Sequence, residues 1–291
     1  MWNNLYNGLI NGLGMGSIYA LIAIGYTMVY GIARMINFAH GEFITIGAFV
    51  SYGMASLIGA NPITMIICII ASMLICAIVS IITEKLAYYP LRKRNTKRIT
   101  ALITAIGVSY IIYSLFNIQF QEIKSSPKFL NLSNTNLTIL TIVITLVTVV
   151  LLTLFINKTK FGKAMRATSE NPSAAKLMGI NNDAMITLTF AIGAALAGLG
   201  AVVYCLRIPY FKFSVGSDAI GLIPFVAAVV GGIGSLPGAV IGGFIIGIIQ
   251  QISVAFPETS PWTPAILYSI LILILIIKPT GILGKSIGEK V

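Results

Sequence analysis

The stretch Arg34-Met-Ile-Asn37-Phe38-Ala39-His40-Gly41-Glu42-Phe43 sets four strongly polar side chains within nine residues, between two apolar runs. The chemistry open to such a cluster is that of holding a polar solute inside an apolar medium. Ionisable groups at membrane depth are costly and normally face a cavity or a partner. On a continuous helix Asn37, His40 and Gly41 would follow i, i+3, i+4 and share a face. Gly41 lets a backbone approach closely or a helix break. A broken helix can aim free N–H groups at a carboxylate and its other end at an ammonium. Asn37, His40, Gly41 and Glu42 are therefore candidates for a polar element on a translocation path. An interfacial turn, with Arg34 reaching back to the surface and Glu42 solvated, fits the same residues.

A second signal lies in Phe161-Gly-Lys-Ala-Met-Arg166 and the residues that follow. Asn171 suits a helix N-cap and Pro172 the first helical position. Ser173, Ala174, Ala175, Lys176, Leu177 and Met178 are mostly good helix formers, and Gly179 fits the position just past the end. The helix predicted over 172–178 is about 10 Å long, too short to be stable alone. Its small Ala174/Ala175 face and its Leu177, Met178 and Ile180 side call for something to pack on: a groove in a partner protein, the chain's own bundle, or lipid headgroups.

The third signal is Gly231-Gly232-Ile-Gly234-Ser235-Leu-Pro237-Gly238, which interrupts two short apolar pieces. Gly/Pro-broken spans point to a re-entrant or cavity-lining pair with a gating role, and a plain surface turn is compatible too. Other patterns lead nowhere. Gly281-Ile-Leu-Gly284-Lys285-Ser286 resembles the end of a phosphate-binding loop, but Pro279 stands where its first glycine belongs. His40 is the single histidine, so neither a His-rich metal site nor a nucleophile–base pair is expected, and no catalytic residue is assigned.

The elements that must carry these residues follow from composition. Of 291 residues, 57% are apolar and only 9% charged, whereas soluble domains carry roughly 25% charged residues. A soluble, disordered or collagen-like chain is excluded, and long unbroken apolar runs argue against a membrane β-barrel. Runs near the roughly 20 residues needed to cross a bilayer fall at about 5–30, 44–58, 63–82, 99–116, 137–156, 184–206, 219–230, 239–254 and 265–277. The fold class expected is an all-α polytopic membrane protein with eight to nine transmembrane or partly re-entrant helices. The piece at 219–230 is short, and 44–58 spans only if it extends into the polar stretch before it. Met1-Trp2-Asn3-Asn4 lacks a basic leader, so the first run is expected to be a retained span.

The net charge of +11 is here a topology signal rather than a sign of nucleic acid. Fourteen of the nineteen basic residues lie in 84–98, 157–183 and the tail from Lys278, which makes those three segments cytoplasmic by the positive-inside rule and the N-terminus external. The longest non-apolar segment, 157–183, is too short for an independent core, so residues 1–291 are expected to form a single transmembrane domain with 157–183 as a cytoplasmic coupling loop. Cys68, Cys76 and Cys205 sit in apolar runs with no CxxC pair and are expected to be small buried hydrophobes. Gly8, Gly12 and Gly16, and Gly234, Gly238 and Gly242, repeat at fours, with Gly243 and Gly247 one more such pair. These are small-residue faces for close helix packing, within one bundle or between subunits.

Asn37-Phe38-Ala39-His40-Gly41-Glu42, the loop with Gly162-Lys-Ala-Met-Arg166 and Ala174-Ala175 ahead of Gly179-Ile180, and Gly231-Gly232-Ile-Gly234-Ser235-Leu-Pro237-Gly238-Ala239 together resemble permease subunits of branched-chain amino-acid ABC importers of the LivH type. The resemblance covers essentially the whole chain, although the leading Glu-Ala-Ala of the ABC-permease coupling motif is missing. It implies the ABC importer permease fold and a multi-pass location in the cytoplasmic (inner) membrane of a prokaryote. The implied partners are a second permease subunit, two ATP-binding subunits and an extracytoplasmic substrate-binding protein, in a setting of membrane lipid. It further implies no cofactor on this chain, with ATP and Mg on the partner subunits, and 172–178 as the helix seated in an ATPase groove. Asn37, His40 and Glu42 would line or support the pathway. Urea, short amides or other amino acids are alternative substrates on the same scaffold. A stand-alone secondary transporter or channel would want more intramembrane acids and histidines than Glu42 and His40, and a membrane enzyme would want a catalytic constellation.

Overall fold

The computed structural model describes residues 2–284 apart from Ile36, Asn95 and Lys97. The basic residues Lys97, Lys285 and Lys290, and Ser286 of the phosphate-loop look-alike, lie outside the described residues. The chain is built of helices α1 (Trp2–Ala33), α2 (His40–Ile58), α3 (Pro62–Thr83), a π-helical turn (Glu84–Tyr88), α4 (Tyr89–Lys93), α5 (Arg98–Gln119), α6 (Asn134–Lys158), α7 (Lys160–Glu170), α8 (Pro172–Leu177), α9 (Asn182–Arg207), α10 (Ala219–Gly231), α11 (Leu236–Ala255) and α12 (Thr263–Ile277). Two short strands, β1 (Lys124–Ser125) and β2 (Tyr210–Phe211), pair antiparallel. Among the described residues eight helices are long and apolar enough to cross a membrane, with the shorter Ile220–Gly231 beside them. This matches the expected eight to nine segments. As required for a full span, α2 runs back into the polar stretch and starts at His40.

α1 is the axis of the bundle. It is buried from Gly14 to Val29 and packs on α6, α9, α10 and α11. Helix association in lipid depends on close contact and polar pairing rather than on apolar burial, and both devices are present. Gly12 and Gly16 meet the backbone of α11, and Gly243 and Gly247 meet that of α1, so two of the glycine stripes face each other inside one chain. α3 supplies the polar device through a stripe at every fourth position. Cys68 Sγ donates to Ser51 O at 3.6 Å, Ser72 Oγ to Gly47 O at 3.0 Å, Cys76 Sγ to Phe43 O at 3.2 Å and Ser80 Oγ to Phe190 O at 3.0 Å. All three cysteines are buried free thiols, and two of them belong to this stripe, which tacks α3 to α2 and α9.

The three basic segments meet at one end of the bundle. Arg34 Nη2 donates to Ser169 O at 2.8 Å and Ser169 Oγ to Gly31 O at 2.8 Å, tying α1 to α7. Arg92 pairs with Asp183 at 2.9 Å. The segment after α12 joins the same end, with Ile282 N donating to Val230 O and Leu283 N to Gly231 O, each at 2.9 Å. The opposite end carries the β1–β2 pair and Arg207, which donates to Thr138 at 2.8 Å and to Asn11 and Asn134 at 3.2 Å.

Asn37 does not share a helix face with His40 and Gly41, because α2 begins only at His40. The side chain of Asn37 folds back instead: its Oδ1 accepts from Ala39 N at 3.1 Å, and its carbonyl accepts from His40 N at 3.1 Å. Asparagine competes for local backbone donors in this way and so ends regular structure.

Candidate functional site

A cavity of about 460 Å³ lies between α1, α2, α5 and the start of α10. Two chain breaks meet behind it. From the basic end, Asn37–Ala39 turn back into the bundle before α2 starts. From the other end, the segment after β2 descends to Asp218, and α10 completes the crossing with only thirteen residues. The depth follows from helix geometry. Tyr26 OH donates to Gly221 O at 3.1 Å, and Tyr26 lies about 10 Å before the end of α1 at roughly 1.5 Å per residue. Gly41, against Gly216 and Gly221, leaves about 26 Å of α2 above it. The breaks therefore meet about 10 Å in from the end of α1, and contact this close requires glycine on both sides: a Cβ on Gly41 would overlap Gly216 O, and one on Gly221 would do the same.

Glu42 is the polar centre of this site and is 1% exposed. It accepts from Ser109 Oγ at 3.0 Å, from Thr45 Oγ1 at 3.4 Å and from Ser217 Oγ in a short contact. A carboxylate with acceptors only is the group that three donating hydroxyls suit. Thr45 Oγ1 in turn accepts from Gly216 N at 2.9 Å, and Ser214 Oγ donates to Asp218 Oδ2 at 2.7 Å. Tyr26, Tyr110 and Tyr113 complete the polar wall; Phe38, Ile106 and Leu222 form the apolar one.

Of the four pathway candidates, Glu42 alone borders the cavity. His40 is buried behind it, its ring 4.3 Å from that of Tyr26 and 6.1 Å from that of Phe43, and Gly25 leaves it room, since a Cβ there would come within 2.6 Å of the imidazole. Asn37 is held by Tyr88, whose hydroxyl donates to Oδ1 at 2.8 Å. Tyr88→Phe removes that bond while Ala39 N still occupies the amide oxygen. The expected cost is about 1 kcal/mol, seen as a melting temperature lower by roughly 2 °C in the detergent-solubilised protein. An unchanged melting temperature would remove the hydroxyl from any role in holding Asn37.

The second site is the short helix α8. Asn171 Oδ1 accepts from Ala174 N at 3.0 Å, Pro172 opens the helix, and Gly179 closes it at φ +80°. Ala175 turns inward, and Asn182 Nδ2 donates to Pro172 O at 2.7 Å, fixing α8 to the start of α9. Ala174 is exposed; Leu177 and Met178 are 89% and 82% exposed. α7, which the residue pattern did not announce, carries α8. It is capped by Thr159 Oγ1 accepting from Gly162 N at 3.0 Å and buries Met165 and Thr168.

Gly231–Gly238 form a packed turn at the basic end, away from the cavity. Gly231 lies against Gly238, Ser235 Oγ accepts from Gly238 N at 3.2 Å, and Pro237 stands in the first turn of α11. Gly232 and Gly234 take φ of +111° and +93°, and the tail packs on Gly232 through Gly281 and Gly284.

Several site residues were not singled out from the sequence. Asp218 is one of only eight acidic residues and stands just before an apolar run, a signal that could have found it. Ser109, Tyr110 and Ser217 carry no local signal. Neither does the Glu84–Arg92 ion pair at 2.9 Å, in which Thr187 Oγ1 also donates to Glu84 Oε2 at 2.9 Å.

Residues 8–276 match the model of the family described as "Branched-chain amino acid transport system / permease component". The chain is 40% identical to the high-affinity branched-chain amino acid transport system permease protein LivH of Salmonella typhimurium, covering 97% of this chain and 96% of that one. It is also 40% identical to BraD of Pseudomonas aeruginosa, over 97% of both chains, and 30% identical to a probable branched-chain permease protein LivH of Methanocaldococcus jannaschii, over 92% and 89%. No solved structure matches the chain. With a likeness this deep over nearly the whole length, the multi-pass membrane chain belongs to the family of permease components of branched-chain amino acid transport systems.

Proposed function

We propose that this chain is the permease subunit of an ATP-driven importer that moves leucine, isoleucine and valine inward across the cytoplasmic membrane of a prokaryote. The observation that carries the reading is 40% identity over 97% of the chain to relatives named as high-affinity branched-chain amino acid permeases. Residues 1–291 act as one transmembrane domain, with the basic end and its 157–183 coupling loop in the cytoplasm. ATP and Mg bind to two separate ATP-binding subunits and no cofactor to this chain. A second permease subunit and an extracytoplasmic binding protein complete the complex. The coupling helix is α8 with its flanks, Asn171, Pro172, Ala174, Ala175, Leu177, Met178 and Gly179. Exposed Leu177 and Met178, ordered by two caps and left uncovered by the described residues, support that assignment, since ATP-driven alternation needs a surface through which a partner can favour one state over the other. Glu42 faces the pathway, with Asn37, His40 and Gly41 supporting it. The turn at Gly231, Gly232, Gly234, Ser235, Pro237 and Gly238 is the candidate gating element at the cytoplasmic mouth.

The test is labelled leucine uptake in the native host with and without this chain, with excess unlabelled valine, isoleucine, alanine or urea as competitors. Uptake lost on deletion, with competition by valine and isoleucine, is the expected result. Unchanged leucine uptake on deletion would reject the substrate, and competition by urea or alanine instead would replace it.

A further inference from the structure

Among the described residues, the wall of the 460 Å³ cavity holds two acidic side chains, Glu42 and Asp218, and no lysine, arginine or histidine. This imbalance is unusual in a chain with 19 basic and 8 acidic residues. A second observation concerns the mouth. Ser217, Asp218 and Tyr110 are exposed on this chain, yet they stand where the two breaks meet, among helices long and apolar enough to cross a membrane. An acidic group facing hydrocarbon there would be costly, so this face borders a polar space rather than lipid. Beside the acids, Phe38, Ile106 and Leu222 provide an apolar surface. An apolar pocket with a few convergent polar groups is the form of a small-molecule site.

We infer that this cavity is the ammonium-accepting half of a solute site. Glu42 and Asp218 receive the cationic amino group, Phe38, Ile106 and Leu222 take an aliphatic side chain, and the solute's carboxylate is left pointing out of the mouth, where the described residues of the wall offer it no positive partner. The three hydroxyls on Glu42 hold its carboxyl in place through the visit. Naming the solute as an amino acid rests on the proposed function; the preference of the cavity for cations does not.

The experiment uses the complete importer in detergent, with and without ATP, carrying Tyr110→Cys at the mouth. The native cysteines are buried. Two thiol reagents of similar size are compared, a methanethiosulfonate bearing trimethylammonium and one bearing sulfonate. The cationic reagent is expected to react about tenfold faster or more, since a cleft of one charge sign concentrates its counter-ion by that order. Asp218→Asn should erase most of the difference. It is the variant to rely on, because Glu42→Gln alters a buried, hydrogen-bonded group and can unfold the chain. Leucine and 3-methylbutylamine, which keep the amino group, should slow labelling; 4-methylpentanoate, which lacks it, should not. Equal rates for the two reagents, reaction with neither, or a difference that survives Asp218→Asn would overturn the cation site. A persistent charge preference with no protection by leucine or the amine would overturn the amino-acid ligand. Leucine uptake measured in parallel separates the two readings: uptake present with no charge preference sinks this inference alone, whereas uptake absent with the preference intact sinks the proposed substrate and leaves a cation site.

Discussion

Changing Leu177 and Met178 together to aspartate should reduce ATP-coupled uptake to background while the permease still accumulates in the membrane. The two side chains are 89% and 82% exposed, so the isolated chain loses almost no packing when they change. The caps that build α8, Asn171 and Gly179, are untouched. Any large effect must therefore come from what covers these side chains in the assembled importer. Apolar anchors at the centre of an interface are worth about 2 kcal/mol each, and a loss of about 4 kcal/mol weakens assembly roughly a thousandfold. Co-purification of the ATP-binding subunits and uptake of labelled leucine are the measurements. Gly179→Pro attacks the same helix by another route. Gly179 holds φ +80°, whereas proline is confined near −65°, so the exit from α8 must rebuild and Leu177 and Met178 are re-aimed. Normal uptake in both variants would take the coupling role away from α8.

Gly247→Leu is expected to prevent accumulation of folded protein. A Cβ at Gly247 falls on the backbone of Gly16, and one at Gly243 falls on the backbone of Ala20. No flexible side chain is present to give way, so α1 and α11 must separate along their whole crossing. Overpacking of this kind costs about 1–3 kcal/mol for a few added methylenes, and more when it forces open the central seam of the bundle. In lipid no apolar driving force compensates for the gap. Gly107→Leu on α5 is the internal comparison. A Cβ there meets nothing within 4 Å, and leaving glycine gains helix propensity of up to about 1 kcal/mol. Membrane levels and thermal aggregation of the two variants should differ sharply. Similar behaviour would show that the glycine seam is not what holds α1 to α11.

The sequence by itself determined what depends on residues within a turn or two of one another. Mean composition decided the solvent of the fold, since only 9% of the residues are charged. Apolar runs of bilayer length became helices close to where the hydropathy places them. Asn171, Pro172 and Gly179 bounded α8 because a cap is made by the residue and the three or four amides beside it. The break at Gly231–Gly238 was legible for the same reason. The tertiary structure alone decided which of these pieces meet. Glu42 is joined by Ser109 and by Ser217, which stands 175 positions away, and no local pattern links such residues. The glycine stripes on α1 and α11 were visible, but whether they served this bundle or another subunit depended on where two helices from distant parts of the chain would cross. Asn37 departs from the helical face that its spacing suggests because its side chain binds backbone donors of its own turn, and Tyr88, the residue that fixes it from the side, approaches from another helix. Helix ends are short-range hydrogen-bond problems that a sequence states outright. A buried polar site in a membrane protein is a problem of long-range packing, solved only when the breaks in separate spans arrive at the same depth.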